Sequence, residues 1–224
     1  MSRSSRQRPV FLRLLAGILL SYVIVIGFGD TRIGDPARVV LFGILLALAL
    51  RLRGLAKLRW WTIGVTVLLV IISVLAKEFT SPTVTSGVVG ACTFVLISGI
   101  IAAIVWEIIQ LRDIDTSVVL GVLCVYLLLA LFFAAVHQIL AAFSSHYVNG
   151  APQPPSAADL LYFSVITLTT VGYGDITPAA ESARAVAVLE ALTGQLYLVS
   201  VVAAVVGGWQ GRRRSAGDSD AHPE

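Results

Sequence analysis

The chain has 224 residues, of which 57% are hydrophobic and 13% charged, with a net charge of +3. A soluble domain carries about a quarter charged residues, and here the apolar residues fall in long runs, so composition excludes an ordinary soluble protein and indicates a membrane one. The two cysteines, Cys92 and Cys124, lie inside apolar runs as small buried hydrophobes, not as a disulfide or metal pair.

In chain order, the N-terminus is basic (Arg3, Arg6, Arg8) and leads into an apolar stretch. At about 18 residues that stretch is long for a secretory signal, and no small-residue cleavage site follows, so it reads as a retained first span. Six apolar segments are expected: Val10 to Phe28, Pro36 to Leu52, Trp60 to Ala76, Ser86 to Leu111, Ser117 to Phe143 and Ala183 to Trp209. Most reach the roughly 20 residues that a helix needs to cross a bilayer. The second is the weak one, because its uncharged stretch, Val39 to Leu50, is short, and Arg38 and Arg51 would have to snorkel outward from its ends. Charge favours counting it. The N-terminal arginines, the loop "RLRGLAKLR" with Arg51, Arg53, Lys57 and Arg59, and the C-terminal Arg212, Arg213 and Arg214 all fall on one side if six segments cross. That side is cytoplasmic by the positive-inside rule, which puts both termini in the cytoplasm of a multi-pass plasma-membrane protein. Trp60, Trp61 and Trp209 mark segment ends, where interfacial aromatics belong.

The connection between the last two spans is different. "SSHYVNGAPQPPS" is polar and proline-rich, a surface turret. "AADLLYFSVITLTT" is apolar again, but at about 14 residues it is too short to cross and suits a re-entrant half-helix, with Asp159 near its start favouring the helix N-terminus. Then comes "TLTTVGYGD", Thr167 to Asp175. Non-helical backbone at membrane depth is tolerated where it is buried in protein or lines a water-filled path. Gly172 and Gly174 can take positive φ at little cost, which lets successive carbonyls face one way. A row of such oxygens can replace the water around a monovalent cation. The polar tail from Gly211 is expected to be short and disordered.

"TTVGYGD" resembles the signature of the potassium-channel pore-domain family, and the resemblance covers the region from about Ser117 to Gly208. It implies an all-α membrane fold of six transmembrane helices with a re-entrant pore helix and filter loop between the last two. It divides the chain into a four-helix region (1–112) without voltage-sensor arginines, a pore domain (113–210) and a short cytoplasmic tail (211–224). Oxygens of Thr170, Val171, Gly172 and Tyr173 would hold K+, with Gly174 completing the filter and Tyr173 packing sideways to hold it open. Thr169 would face the cavity, Arg184 would start the inner helix, and Gly194 would stand at a gating hinge. Some bacterial relatives pair the filter aspartate with a pore-helix glutamate. Ile166 occupies that position here, so Asp175 needs another partner, and Tyr162 is the candidate. One filter strand per chain implies a homotetramer in lipid, with K+ as permeant ion and no other cofactor.

Other intramembrane polar residues are weighed separately. Glu190 shares a helix face with Gly194 and is expected to brace the pore helix as a protonated or hydrogen-bonded group, with direct ion contact as the alternative. Gln195 faces the cavity. Glu107 reaches the interface, and His137 and His146 are packed or solvated. No hydrolytic constellation, phosphate loop or nucleic-acid patch emerges. The function expected is passive, potassium-selective conduction without steep voltage gating. The alternatives are a non-conducting regulatory or assembly subunit and, more remotely, an intramembrane enzyme built on Glu107, Glu190 or His137.

Overall fold

The computed structural model describes residues 3–28, 34–52, 56–110 and 116–219. These residues form α1 (Arg3–Phe28), α2 (Gly34–Leu52), α3 (Ala56–Phe79), α4 (Pro82–Gln110), α5 (Thr116–Ala141), β1 (Val148–Asn149), α6 (Ala157–Leu168), β2 (Thr177–Pro178) and α7 (Glu181–Ser219). Local chemistry sets several of the ends. Pro82 occupies the first turn of α4, where a missing N–H costs nothing. Ser156 and Asp159 form a reciprocal capping box that starts α6.

Among the described residues, α1, α3, α4, α5 and α7 contain stretches long and apolar enough to cross a membrane, and α6 is a shorter apolar helix. α2 is not in that group. Its 19 residues would rise roughly 28 Å, close to the hydrocarbon thickness of a bilayer, but it contains Asp35, Arg38 and Arg51. Here one expectation is corrected. Arg38 does not snorkel outward. Its side chain is 5% exposed and pairs with Asp35 at 3.4 Å, while Lys77 of α3 reaches the other oxygen of Asp35 at 3.2 Å. A carboxylate three residues earlier lies on the same helix face, so burial with a partner replaces exposure.

α5 is the hub, packed against α1, α4, α6 and α7, while α2 bridges α1, α3 and α4. The core is built from Phe11, Leu14 and Ile18 of α1, Phe42 and Leu45 of α2, Leu96, Ile100 and Ile104 of α4, and Leu128 of α5. Polar atoms at this depth find partners inside the protein, as a bilayer requires. Tyr22 of α1 donates to the Leu127 carbonyl at 2.7 Å, and Tyr197 of α7 donates to the Val122 carbonyl at 2.6 Å. Both pin a neighbouring helix to α5. Glu107 is a second correction. It is 1% exposed, not interfacial, and its carboxyl receives the side-chain amide of Gln7 from α1. A buried carboxyl without such a donor would be strongly destabilising.

Trp60 and Trp61 are exposed. The side chains of Arg3, Arg6, Lys57, Arg59, Trp209 and Arg212 to Arg214, and the whole of Arg53, lie outside the described residues. The tail departs from expectation, since the α7 backbone stays helical through Ser219. Residues 209–219 contain no proline, and Gln210, Arg212 to Arg214 and Ala216 favour helix against Gly211 and Gly217.

Candidate functional site

The site begins with α6. Its apolar side buries Leu160, Leu161, Phe163, Ile166 and Leu168, and its C-terminus delivers the chain to Thr169. The backbone then turns back on itself. The N–H groups of Val171 and Gly172 both donate to the Ile166 carbonyl, at 2.9 and 3.2 Å. In a planar trans peptide the preceding carbonyl points opposite to the N–H. The carbonyls of Thr170 and Val171 therefore point away from α6, toward the side where residues 169–175 are exposed.

The dihedrals extend this arrangement. Thr170, Gly172 and Gly174 have φ of 58°, 52° and 82°, so left-handed residues alternate along the segment. Sequence alone predicts positive φ at the glycines, but not at Thr170. A β-branched residue there is an outlier that costs about 1–2 kcal/mol. Its backbone N–H donates to Thr167 O at 3.0 Å, and its hydroxyl accepts from Gln195 Nε2 of α7 at 3.2 Å.

The remaining site residues fall around this strand. Thr169 is exposed at the foot of the segment, and its hydroxyl donates to Val165 O at 2.7 Å. Tyr173 is 73% exposed within the single chain. Tyr162 donates its phenol to Asp175 at 2.7 Å. That hydrogen bond, above all, holds the Asp175 carboxyl below the usual carboxylate range, and the same contact pushes the Tyr162 phenol up to about 12. A two-residue antiparallel ladder, Val148 opposite Pro178 and Asn149 opposite Thr177, ties the turret to the strand just beyond Asp175. Arg184 lies in the first turn of α7, where its guanidinium contacts Pro178 O at 3.5 Å.

Gly194 has a packing role. A Cβ built on it would sit 2.4 Å from the Leu168 carbonyl oxygen, so α7 and the end of α6 meet too closely for any side chain. The helix passes through Gly194 without interruption.

Behind α6 lies a fully buried polar cluster. Glu190 of α7 contacts Ser164 of α6 through one carboxyl oxygen and His137 Nε2 of α5 through the other, at 3.1 Å for the latter. Ser164 Oγ also donates to Ala130 O of α5 at 2.7 Å, and His137 Nδ1 meets Tyr147 Oη of the turret at 2.8 Å. Sequence reasoning places Glu190 against the pore helix but names neither Ser164 nor Tyr147. One signal is available, in that Ser164 is a polar residue in the middle of an apolar half-helix. His146, by contrast, stands in the turret and meets Asn149 at 2.8 Å.

A family profile described as an ion channel matches residues 121–208. The chain is 38% identical over 95 residues to Protein LctB of Bacillus caldotenax, covering 39% of this chain and 69% of that protein. It is 37% identical over 73 residues to two pore potassium channel c of rice, Oryza sativa subsp. japonica, covering 33% of this chain and 16% of the rice protein. It is 33% identical over 79 residues to a voltage-gated potassium channel of Aeropyrum pernix, covering 34% of this chain and 27% of that protein. The chain thus spans only about a sixth of the length of the rice channel. No solved structure matches. The fold and the strand after α6 define a multi-pass membrane protein of channel type. The chain belongs with Protein LctB to the ion-channel family that this profile describes, a family of channels and not of enzymes.

Proposed function

We propose that this chain is one subunit of a homotetrameric, potassium-selective channel that conducts K+ passively across the plasma membrane. The observation that carries the reading is the backbone of residues 170–174. Alternating left-handed φ at Thr170, Gly172 and Gly174, with the N–H groups of Val171 and Gly172 turned to Ile166, aims a line of carbonyls at one open side. Oxygens of Thr170, Val171, Gly172 and Tyr173 would replace the hydration shell of K+. α6 points its carbonyl end toward the same place, adding partial negative charge.

Four copies close the ring. The exposed filter strand and the exposed α7 side chains Leu189, Leu192, Leu196 and Val199 form the face such copies would share. Tyr173, mostly exposed in one chain, would pack between subunits. α1 to α4 (1–112) form an N-terminal membrane region, 113–210 the pore domain and 211–224 the cytoplasmic end. α2 crosses as a sixth span, and both termini are cytoplasmic, supported by the arginine-rich segments that six crossings bring to one side.

The test is flux from the purified protein in lipid vesicles, with the mass of the assembly measured in parallel. Four copies and potassium flux well above sodium flux are expected. A silent tetramer that alters the current of another channel would favour the regulatory-subunit reading, and a conducting monomer or dimer would refute the ring.

A further inference from the structure

The buried cluster behind α6 has more to say than that Glu190 is hydrogen-bonded, because its protons can be counted. Four contacts join five groups in series: Tyr147 to His137, His137 to Glu190, Glu190 to Ser164, and Ser164 to Ala130. Each contact needs one proton between its two heavy atoms. Ala130 contributes only a main-chain carbonyl, which has no proton to give. The Ser164 hydroxyl must therefore donate to Ala130, and its single proton is used. The contact between Ser164 and Glu190 then needs a proton from the carboxyl. The other carboxyl oxygen accepts from His137 Nε2–H, which leaves His137 Nδ1 to accept from the Tyr147 phenol.

No pattern with an ionised Glu190 fills all four contacts, and a neutral Glu190 beside a cationic His137, which would fill them with the Tyr147 bond reversed, would leave a net charge buried without a counter-ion. With Glu190 ionised and His137 neutral, three protons serve four contacts. With Glu190 ionised and His137 cationic, the Tyr147 proton is displaced from the series and Ser164 is asked to donate twice. Tyr147, His137, Ser164 and Glu190 are all 0% exposed, so water does not supply the missing donor. An unmade contact here would leave facing lone pairs in a medium that strengthens their repulsion.

We infer that Glu190 is held as a neutral acid in a one-way chain of hydrogen bonds, Tyr147 to His137 to Glu190 to Ser164 to Ala130, and that it is a positioning residue for the filter. The chain starts in the turret, crosses α5 and α7, enters the middle of α6 and returns to α5. Ser164 stands two residues before Ile166, the carbonyl that holds Val171 and Gly172. Fixing Ser164 against α5 and α7 therefore fixes the anchor of the carbonyl line. The turret end is tied in as well, because the Tyr147 carbonyl accepts the N–H groups of Ala179 and Ala180 at 3.0 and 3.2 Å. Both ends of the filter are thus referred to the same chain. The inference deepens the channel reading and depends on it for the word filter, but not for the proton count.

The test uses the full chain reconstituted in lipid. Infrared difference spectra of wild type against Glu190→Gln should show the high-frequency C=O band of a neutral carboxyl group, shifted by H/D exchange. If that difference lies instead at the carboxylate frequency, the inference is wrong. Conduction supplies the second arm. Glu190→Ala removes two of the four contacts, and the potassium-over-sodium permeability ratio should fall at least about tenfold. Glutamine can donate to Ser164 through its amide and accept from His137 through its oxygen, so Glu190→Gln should rescue what Glu190→Ala loses. A glutamine variant as impaired as the alanine variant would overturn the neutral-acid chain. If the alanine protein fails to assemble, the infrared comparison decides alone. If wild type carries no potassium flux, the channel reading fails while the infrared band still decides the chain.

Discussion

Thr170, Gly172 and Gly174 are left-handed at alternate positions, and in the proposed channel that alternation would turn successive carbonyls toward one axis. At Gly172 and Gly174 nothing lies within 4 Å of where a Cβ would stand, so space does not exclude alanine there, but φ does. Gly172→Ala or Gly174→Ala should cost about 1–2 kcal/mol in the native backbone, enough to favour a flipped peptide. Potassium selectivity is expected to collapse in well-assembled protein, and a retained permeability ratio in both variants would count against the carbonyl line. Tyr162 and Asp175 lend themselves to a pH experiment. The carboxyl of Asp175 is depressed by the phenol, so the contact stabilises the loop above the ordinary carboxylate pKa and is lost as pH falls through the depressed folded value. In Tyr162→Phe that acid-side loss should begin at higher pH. Titration of a labelled Asp175 carboxyl carbon checks this, and identical midpoints in the two proteins would contradict it. The glycines are readable from their neighbours because turn chemistry is local, whereas Tyr162 as the partner of Asp175 is readable only through the family resemblance. Glu190 is only half readable, since Ser164 and His137 stand 26 and 53 residues away and only packing joins them.

Helix contacts explain why some expectations hold and others do not. The half-length of α6, between a proline-rich turret and the filter, follows from its capping box and its hydrophobic length. Snorkelling fails for Arg38 because it treats α2 as an isolated helix in lipid. In the packed protein Asp35 and Lys77 surround the same spot, and charges at this depth pair when a partner is near. An interfacial Glu107 fails for the same reason, since Gln7 of α1 is a hundred residues distant in sequence and adjacent in space. The crossing of α6 and α7 carries a further prediction. Gly194→Ala would drive a methyl group into the Leu168 carbonyl, a backbone atom that cannot rotate away. An overpacked contact of this kind costs about 1–3 kcal/mol. A lower thermal midpoint with disturbed conduction is expected. A variant that keeps its stability and changes only its opening kinetics would instead favour the hinge reading of Gly194.

At the scale of the molecule, the charge distribution of α4 supports the proposal that the channel is not steeply voltage-gated. α4 has no charged residue from Pro82 through Trp106, and its one carboxyl, Glu107, is buried against α1. Moving one elementary charge through the membrane field is worth about 2.3 kcal/mol per 100 mV, so a tetramer moving three per subunit would gain about 28 kcal/mol per 100 mV. α4 offers nothing to supply that term. Open probability in symmetrical potassium should therefore vary shallowly with voltage, and a steep curve would show that another helix carries the gating charge. The exposed strand at residues 169–175 has one more consequence, which concerns biosynthesis. In the proposed tetramer a newly inserted copy would wall only one side of the ion path, so it would be electrically silent on its own. On that proposal cells would translate such a subunit ahead of assembly without discharging the membrane, and the burden of the unassembled form would instead be the exposed apolar flank of α7, which lipid would cover until partners arrive.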